Sequence, residues 1–187
     1  MSAPVPIDPA EAAGALADID AIAARVKQSR SYRLASAALI LWGVIVALGY
    51  TAAQFWPRSA PILWSALHVT GVILMVLLGT REAHERGRGY DPRLLFGVLL
   101  CFVFGLIWSL VIGRFGPREM SAFWPTLFMF AYTLAGLWLG RAFVALGLAV
   151  TALTLAGYVF AGAWFDLYLA VVNGGGLMAC GLWMRRA

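Results

Sequence analysis

Asn173 is the polar residue whose surroundings in the sequence are hardest to explain by packing alone. It is followed by three glycines in the run LAVVNGGGLMACG, which otherwise has the composition of a membrane span. A side-chain amide in hydrocarbon costs a few kcal/mol unless it forms a hydrogen bond to another helix or to water. Three polar side chains in other apolar stretches are its candidate partners: His68, Thr151 and Thr154.

The glycine run is compatible with two structures. Successive helical residues are about 100° apart, so three in a row cannot all face one neighbouring helix. One structure is an intact helix that packs closely through some of the glycines, and the other is a distorted helix that lines a polar cavity. Broken helices near the membrane midplane often bind substrate in transporters. The candidate ligand or cavity residues are Asn173, Gly174, Gly175, Gly176, His68, Thr151 and Thr154.

Residues that could support catalysis or hold a metal do not occur at the required spacings. His68 lies in an apolar stretch and His84 in the charged segment REAHERGRGYDPR, so we expect them on opposite sides of a membrane. Cys101 and Cys180 have no C-x-x-C spacing, which favours two small buried side chains. Nucleophile–base pairs and phosphate-binding glycine loops are also absent from the sequence. We therefore expect a protein that is not an enzyme and uses no metal or cofactor.

Six apolar stretches must position these residues. Of the 187 residues, 62% are hydrophobic and 12% are charged, whereas soluble domains carry about 25% charged residues. A helix needs about 20 mostly apolar residues to cross a bilayer. The sequence therefore predicts an all-α, polytopic membrane protein: a six-helix transmembrane bundle over residues 34–186, preceded by a cytoplasmic segment, 1–33, with an amphipathic helix. The predicted spans are 34–55, 62–80, 94–113, 121–140, 142–162 and 164–184.

The basic residues predict how the spans are oriented. Eleven of the 14 lysines and arginines fall on one side of the predicted membrane: Arg25, Lys27, Arg30, Arg33, Arg81, Arg86, Arg88, Arg93, Arg141, Arg185 and Arg186. Positively charged loops stay in the cytoplasm, so both termini should be cytoplasmic. The abundance of arginine, alanine and glycine suits a bacterial genome, which predicts the inner membrane. Because basic residues flank the spans, the net charge of +5 does not indicate nucleic-acid binding.

An amphipathic helix is predicted in the segment IDPAEAAGALADIDAIAARVKQSRSYR, before the first span. Asp8 and Glu11 form a pattern like a capping box, and Pro9 fits the first helical position. Apolar side chains then recur at three- and four-residue spacing. This stripe favours contact with a protein or with the inner membrane surface, and a third alternative is a helix that simply leads into the first span. The candidate partner-binding residues are Leu16, Ile19, Val26, Arg86 and Arg88.

Small residues at regular spacing predict where the spans pack. Helices in a bilayer associate by close approach of their backbones, which small side chains permit. The third span carries a four-residue ladder, the fourth a GxxxG pair and the fifth a stripe of alanines. The predicted packing residues are Gly97, Cys101, Gly105, Ser109, Gly113, Gly136, Gly140, Ala145, Ala149 and Ala152. A second copy of the chain is one of the neighbours that such stripes fit.

Three functions are compatible with this sequence. The first is a non-enzymatic accessory or regulatory protein of the inner membrane, which binds a partner through its N-terminal helix and the 81–93 loop. The second is a small transporter or permease subunit with a polar midplane site at Asn173. The third is a structural subunit of a membrane complex. A water-filled path past Asn173 would favour transport, whereas a filled bundle core with a docked N-terminal helix would favour partner binding.

Overall fold

The computed structural model describes residues 9–85 and 93–186, and in this part of the chain it contains helices and no strands. The α-helices are α1 (Pro9–Phe55), α2 (Ala60–Glu85), α3 (Arg93–Leu106), α4 (Pro117–Leu139), α5 (Arg141–Phe160), α6 (Phe165–Leu169) and α7 (Gly176–Arg186). The π-helical segments are Ile107–Ile112, which continues α3, and Ala170–Gly175, which joins α6 to α7. A 3₁₀ turn, Gly162–Trp164, precedes α6.

Six stretches of the described chain are long and apolar enough to cross a membrane. They are Arg33–Phe55, Ala60–His84, Leu95–Ile112, Pro117–Trp138, Arg141–Phe160 and Gly162–Arg186. This finding confirms the prediction of an all-helical chain with six candidate spans. The last stretch combines the 3₁₀ turn, α6, the second π-helical segment and α7, and we call it span 6.

Helix α1 runs without interruption for 47 residues, about 70 Å. Its candidate span accounts for the last 23 of them. The N-terminal segment is therefore continuous with the first span instead of forming a separate helix. We call residues 9–32 the N-terminal arm. Asp8 lies outside the described residues, and the arm residues whose exposure is described are Gly14, Leu16 and Asp18. The amphipathic character of the arm accordingly stays a prediction.

Prolines and glycines set the ends of several helices. Pro57 follows the end of α1, and Pro117 opens α4, because proline cannot continue a helix but fits its first turn. Gly140 alone separates α4 from α5. Its φ is 132°, a backbone angle that residues with a Cβ rarely adopt. The sequence predicted Gly140 as a packing residue, and the structure places it in this turn. The short connection makes α4 and α5 adjacent antiparallel helices.

The core of the bundle lies between α1, α4, α5 and span 6. Helix α4 packs along α5, and α1 packs along span 6. Buried apolar side chains from these elements form one cluster: Leu39, Met129, Phe143, Val150, Leu177 and Met184. Helix α2 packs on α1, while α3 reaches α2 and α4 through the ring of Phe102. Helices α2 and α3 thus lie at the periphery and expose most of their apolar side chains.

Candidate functional site

Asn173 lies in the π-helical segment Ala170–Gly175, near the middle of span 6. Its side chain is 1% exposed, and its Nδ2 donates a hydrogen bond of 3.1 Å to Oγ1 of Thr154 on α5. Thr154 is itself completely buried. The sequence named Thr154 among three candidate partners, and the structure brings these two residues together. Their hydrogen bond joins span 6 to α5 inside the core.

The second polar atom of the same amide, Oδ1 of Asn173, is buried and has no hydrogen-bond partner within residues 9–85 and 93–186. A buried acceptor without a partner costs about 1–3 kcal/mol. A π-helical segment inside an α-helix is usually only one turn long, and it is often found at a functional site. An unpartnered polar atom and a π-helical turn therefore coincide at Asn173, which makes it the main candidate for a polar site in the bundle.

The three consecutive glycines of span 6 face three different directions. A Cβ on Gly174 would lie 2.7–2.9 Å from the Cβ, Cα and N atoms of Ala47, so the backbones of span 6 and α1 approach closely here. A Cβ on Gly176 would make ordinary contact with Val150 of α5 at 3.4 Å. A Cβ on Gly175 would meet nothing within 4 Å. Span 6 is thus both distorted and closely packed, and it combines features of the two structures expected from the sequence.

The other two candidate partners of the amide do not form hydrogen bonds with it in the described structure. Thr151 is half-buried on α5. His68 lies between α1, α2 and α3, where its Nδ1 is 2.8 Å from the carbonyl oxygen of Trp64. Its ring packs against Trp42 and Phe102 as well as Trp64. The aromatic rings and the carbonyl of its own helix account for the environment of His68.

The ladder of small residues in the third span approaches α4 closely near its middle. A Cβ on Gly105 would lie 2.9 Å from side-chain atoms of Trp124 and Leu127. Gly97 faces open space, and Gly113 lies against the turn that follows the span. Gly105 therefore contacts α4 through the side chains of Trp124 and Leu127.

The remaining members of this ladder are Cys101 and Ser109. Cys101 is half-buried and carries a free thiol, as does Cys180 on α7. Ser109 is completely buried in the π-helical segment Ile107–Ile112, and its Oγ has no hydrogen-bond partner in the described chain. A second polar atom without a partner thus lies in a π-helical turn.

Helix α5 buries glycines and a threonine instead of its alanine stripe. A Cβ on Gly147 would lie 2.6 Å from the carbonyl oxygen of Met129, and one on Gly136 would lie 2.6 Å from the backbone nitrogen of Val144. The backbones of α4 and α5 therefore meet at these two glycines. The face of α5 predicted to pack is exposed in the described chain: Ala145, Ala149 and Ala152.

The predicted partner-binding residues are described in part. Leu16, on the N-terminal arm, is 63% exposed. The side chains of Ile19 and Val26, and the whole of Arg86 and Arg88, lie outside what the structure describes. Of these five side chains the structure describes that of Leu16, which lies on the surface.

Polar contacts fix the base of the arm to two other helices. Arg33 of α1 forms an ion pair of 3.0 Å with Glu82 of α2. Ser36 Oγ donates a hydrogen bond of 2.6 Å to the carbonyl oxygen of Gly181. Arg185 Nε donates in turn to Ser36 Oγ at 3.2 Å. These contacts join α1 to α2 and to α7 at the level where the arm leaves the bundle.

A polar cluster at the opposite end of the bundle is centred on Arg118, which lies between the predicted third and fourth spans. Arg118 donates hydrogen bonds to the carbonyl oxygens of Gly162 and Tyr158, at 2.6 and 2.8 Å. Its guanidinium lies 5.4 and 5.0 Å from the ring centres of Tyr158 and Phe165. Carbonyl groups at the end of a helix lack partners within that helix, and an arginine satisfies them while stacking on aromatic rings.

Helix α1 joins the same cluster through Tyr50 and Gln54. The Tyr50 hydroxyl donates to the carbonyl oxygen of Ser121 at 2.8 Å, and Gln54 Nε2 donates to that of Ala163 at 3.2 Å. Asp166, in span 6, has a buried Oδ1 without a partner in the described chain. The contacts of this cluster fix the ends of α1, α4 and α5 to the start of span 6.

The described side chains offer no metal centre, since no three His, Cys, Asp or Glu residues among them converge. What the arrangement can do is hold helices together through buried hydrogen bonds and present Leu16 and Asp18 at the surface of the arm. Comparison of the chain with models of known protein families, with curated proteins and with solved structures finds no match.

Proposed function

We propose that this chain is a non-enzymatic accessory or regulatory protein of the bacterial inner membrane. It spans the bilayer six times with both termini in the cytoplasm, and it binds a protein partner through the N-terminal arm and the 81–93 loop. The observation that carries the proposal is the continuity of α1, which extends roughly 36 Å beyond its candidate span.

The arm presents an apolar side chain at a distance from the bundle. Leu16 is 63% exposed, and a Cβ on Gly14 would meet no atom within 4 Å. Leu16 lies about 26 Å along the helix from Arg33, where the apolar span begins. Burying one leucine side chain in a partner would contribute about 1.5–3 kcal/mol, so a contact at Leu16 would contribute measurably to the free energy of binding.

The fixed base of the arm supports a regulatory role. Arg33, Ser36 and Arg185 form contacts that connect the arm to α2 and α7. A change in the direction of the arm would have to break or rearrange these contacts. A partner bound to the arm could therefore sense the arrangement of the spans, or alter it.

The filled core also favours an accessory role and disfavours a pore. Asn173 and Thr154 are buried against each other, and Gly174 leaves no room between span 6 and Ala47 of α1. The polar groups at the centre are used to join helices. The docked N-terminal helix that would favour partner binding is not found, because the arm continues α1 beyond the bundle, where Leu16 is exposed.

Photo-crosslinking tests the partner-binding arm directly. A photo-reactive amino acid in place of Leu16 should form an adduct with another protein in intact cells. The matched control replaces Asp18, which is also exposed on the arm but lies about 200° around the helix. An adduct from position 16 and little from position 18 supports a directed contact. Equal yields from both positions, or an adduct with a second copy of the chain, would contradict the accessory role.

The proposed orientation has its own test. A cysteine in place of Arg58 should react with a membrane-impermeant maleimide in intact cells, whereas one in place of Arg88 should react only after the cells are opened. Cys101 and Cys180 are first replaced by serine, so that each variant carries one thiol. Reaction at position 88 from outside would reverse the topology and place the arm outside the cytoplasm.

A transporter or permease subunit with a polar midplane site remains a second candidate function, because Oδ1 of Asn173 has no partner in the described chain and lies in a π-helical turn. In the cysteine-free background, Asn173→Cys should react with a small water-soluble thiol reagent if water reaches the midplane. Thr154→Cys tests the same path from α5. Protection of both thiols in folded protein would exclude an open aqueous path and leave the accessory role.

A further inference from the structure

The buried pair of Asn173 and Thr154 leaves two hydrogen-bonding groups unused. Nδ2 of Asn173 donates to Oγ1 of Thr154 at 3.1 Å, whereas Oδ1 of the same amide accepts no hydrogen bond within residues 9–85 and 93–186. Thr154 accepts the bond from Nδ2, but its own hydroxyl hydrogen has no acceptor in the described chain. One acceptor and one donor are therefore left over, side by side, in a part of the core where both residues are buried.

The hydroxyl of Thr154 differs from those of other threonines in the bundle. A threonine hydroxyl inside a helix can donate to the carbonyl oxygen four residues earlier. Four threonines of the described chain do so, at 2.7–3.0 Å: Thr51, Thr70, Thr126 and Thr133. Thr154 instead directs its oxygen to Asn173. Its hydroxyl hydrogen is therefore available to a further acceptor beside the amide.

The face of span 6 that meets α5 has room next to this pair. Gly176 follows Asn173 by three residues, so the two lie on one side of the helix. Both meet α5, because Asn173 contacts Thr154 and a Cβ on Gly176 would contact Cγ2 of Val150 at 3.4 Å. That hypothetical Cβ would meet no second atom within 4 Å in the described chain. A group about the size of a methyl therefore fits between the two helices here.

The unused groups favour water over a cation as the occupant of this space. Both groups are uncharged, and a water molecule can donate to the amide oxygen while it accepts from the hydroxyl. A buried cation would need an opposite charge close by. Asp166, the acidic residue of span 6, lies seven residues before Asn173, about 10 Å away along the helix. A cation beside Asn173 would thus lie far from that carboxylate.

We propose that Asn173 and Thr154 bind one enclosed water molecule between span 6 and α5. The water donates to Oδ1 of Asn173, accepts from the hydroxyl of Thr154 and occupies the space beside Gly176. It gives the π-helical turn a second link to α5, in addition to the direct hydrogen bond. The site involves neither the N-terminal arm nor a partner, so its failure would leave the proposed accessory function standing.

Solid-state NMR can observe this site selectively, because Asn173 is the sole asparagine of the 187-residue sequence. Protein made with isotope-labelled asparagine is placed in lipid bilayers, and magnetisation is transferred from water protons to Cγ of Asn173 at short mixing times. Wild-type protein should show rapid transfer, since a bound water lies in direct contact with the amide. Absence of transfer in wild-type protein would overturn the proposal.

Filling the space separates a bound water from exchange of the side-chain hydrogens. Gly176→Val keeps both polar side chains but places methyl groups beside them, so transfer to Asn173 should fall several fold. Gly175→Val is the matched control, because a Cβ on Gly175 would meet nothing within 4 Å, and transfer should stay unchanged. Gly176→Ala, a smaller change that the packing accommodates, should slow transfer even if the valine variant fails to fold. Equal transfer in wild-type protein and Gly176→Ala would contradict the placement of the water.

Infrared spectroscopy provides a second readout of the same amide. A hydrogen bond to a carbonyl oxygen lowers its stretching frequency, and the isotope label identifies the band of Asn173. The band should lie at the frequency of a hydrogen-bonded amide in wild-type protein and in Gly175→Val, and at a higher frequency in Gly176→Val. The frequency of an unbonded carbonyl in all three proteins would also overturn the proposal.

Reactivity of a cysteine at the same position distinguishes an enclosed water from an open aqueous path. An enclosed site leaves Asn173→Cys, in the cysteine-free background, protected from the water-soluble thiol reagent. Rapid transfer from water in wild-type protein together with a protected thiol supports the enclosed site. Rapid transfer together with a reactive thiol would overturn it and favour the transporter.

Discussion

The two π-helical segments of this protein have the same length and very different surroundings. Ile107–Ile112 ends the third span, and its apolar side chains are exposed, Val111 to 69% and Ile112 to 58%. Ala170–Gly175 lies inside span 6, with α6 before it and α7 after it, and packs against α1 and α5. Each segment buries one polar side chain whose oxygen has no partner in the described chain: Ser109 Oγ in the first and Asn173 Oδ1 in the second.

The hydrogen bonds at the end of the first segment explain its widened turn. The carbonyl oxygen of Trp108 accepts a hydrogen bond of 2.8 Å from the Gly113 amide, and that of Ser109 accepts one of 2.9 Å from Phe115. The widened turn thus satisfies carbonyl groups that would have no partner at a helix end. Such a function is local and needs no contact with another helix.

The second segment has no helix end to close, so its widened turn must be supported by packing. Here Asn173 is directed to Thr154, and Gly174 is directed to Ala47. The same backbone geometry therefore terminates a helix in the first segment and positions an interhelical contact in the second. Substitutions in the two segments should accordingly have different consequences.

The largest difference is expected at the glycines of span 6. Gly174→Ala should lower the free energy of unfolding by about 1–3 kcal/mol, because its Cβ would lie 2.7–2.9 Å from backbone and side-chain atoms of Ala47. Gly175→Ala is the matched control, since its Cβ would meet nothing within 4 Å. Thermal unfolding in detergent measures both. A larger loss for Gly175→Ala than for Gly174→Ala would show that backbone flexibility, not close packing, requires the glycine run.

Loss of the hydrogen bond in the second segment should have a smaller effect on the free energy of unfolding. Thr154→Val keeps the shape of the side chain but leaves the Asn173 amide without its partner, at an expected cost of about 1–2 kcal/mol. The double variant Thr154→Val/Asn173→Leu removes both polar groups and should recover part of this loss. The coupling energy of the cycle should be near 0.6 kcal/mol, the average for hydrogen bonds between membrane helices. Coupling of zero would mean that the 3.1 Å contact contributes no stability.

Hydropathy was sufficient to predict the helical class and the six candidate spans, because each stretch is apolar along its own length. The face of each span that packs was harder to predict. On α5, both the alanine stripe and the face with Gly147 and Thr154 consist of small residues at helical spacing. Alanine is tolerated against lipid as well as against a helix, so the sequence pattern does not distinguish the two faces.

The candidate sites were predicted in part for the same physical reason. Asn173 was identifiable because an amide in an apolar stretch needs a partner, and Thr154 was one of three polar side chains within reach. The cluster around Arg118 was not predicted, because its partners are the carbonyl oxygens of Tyr158 and Gly162, some forty residues away. The predicted spans 142–162 and 164–184 include the break between α5 and span 6, but the sequence does not show which side chain will bind the backbone acceptors that a helix end leaves open.

The smallest effect is expected in the first segment, at Ser109. Its hydroxyl is completely buried without a partner in the described chain, so removing it relieves the cost of burying a polar group. The methyl group of Ser109→Ala occupies almost the same space, so we expect a change within about 0.5 kcal/mol, with stabilisation the favoured sign. The same unfolding assay measures it. Destabilisation as large as that of Thr154→Val would mean that Ser109 forms a hydrogen bond in the folded protein, and the two π-helical turns would then both hold interhelical polar contacts.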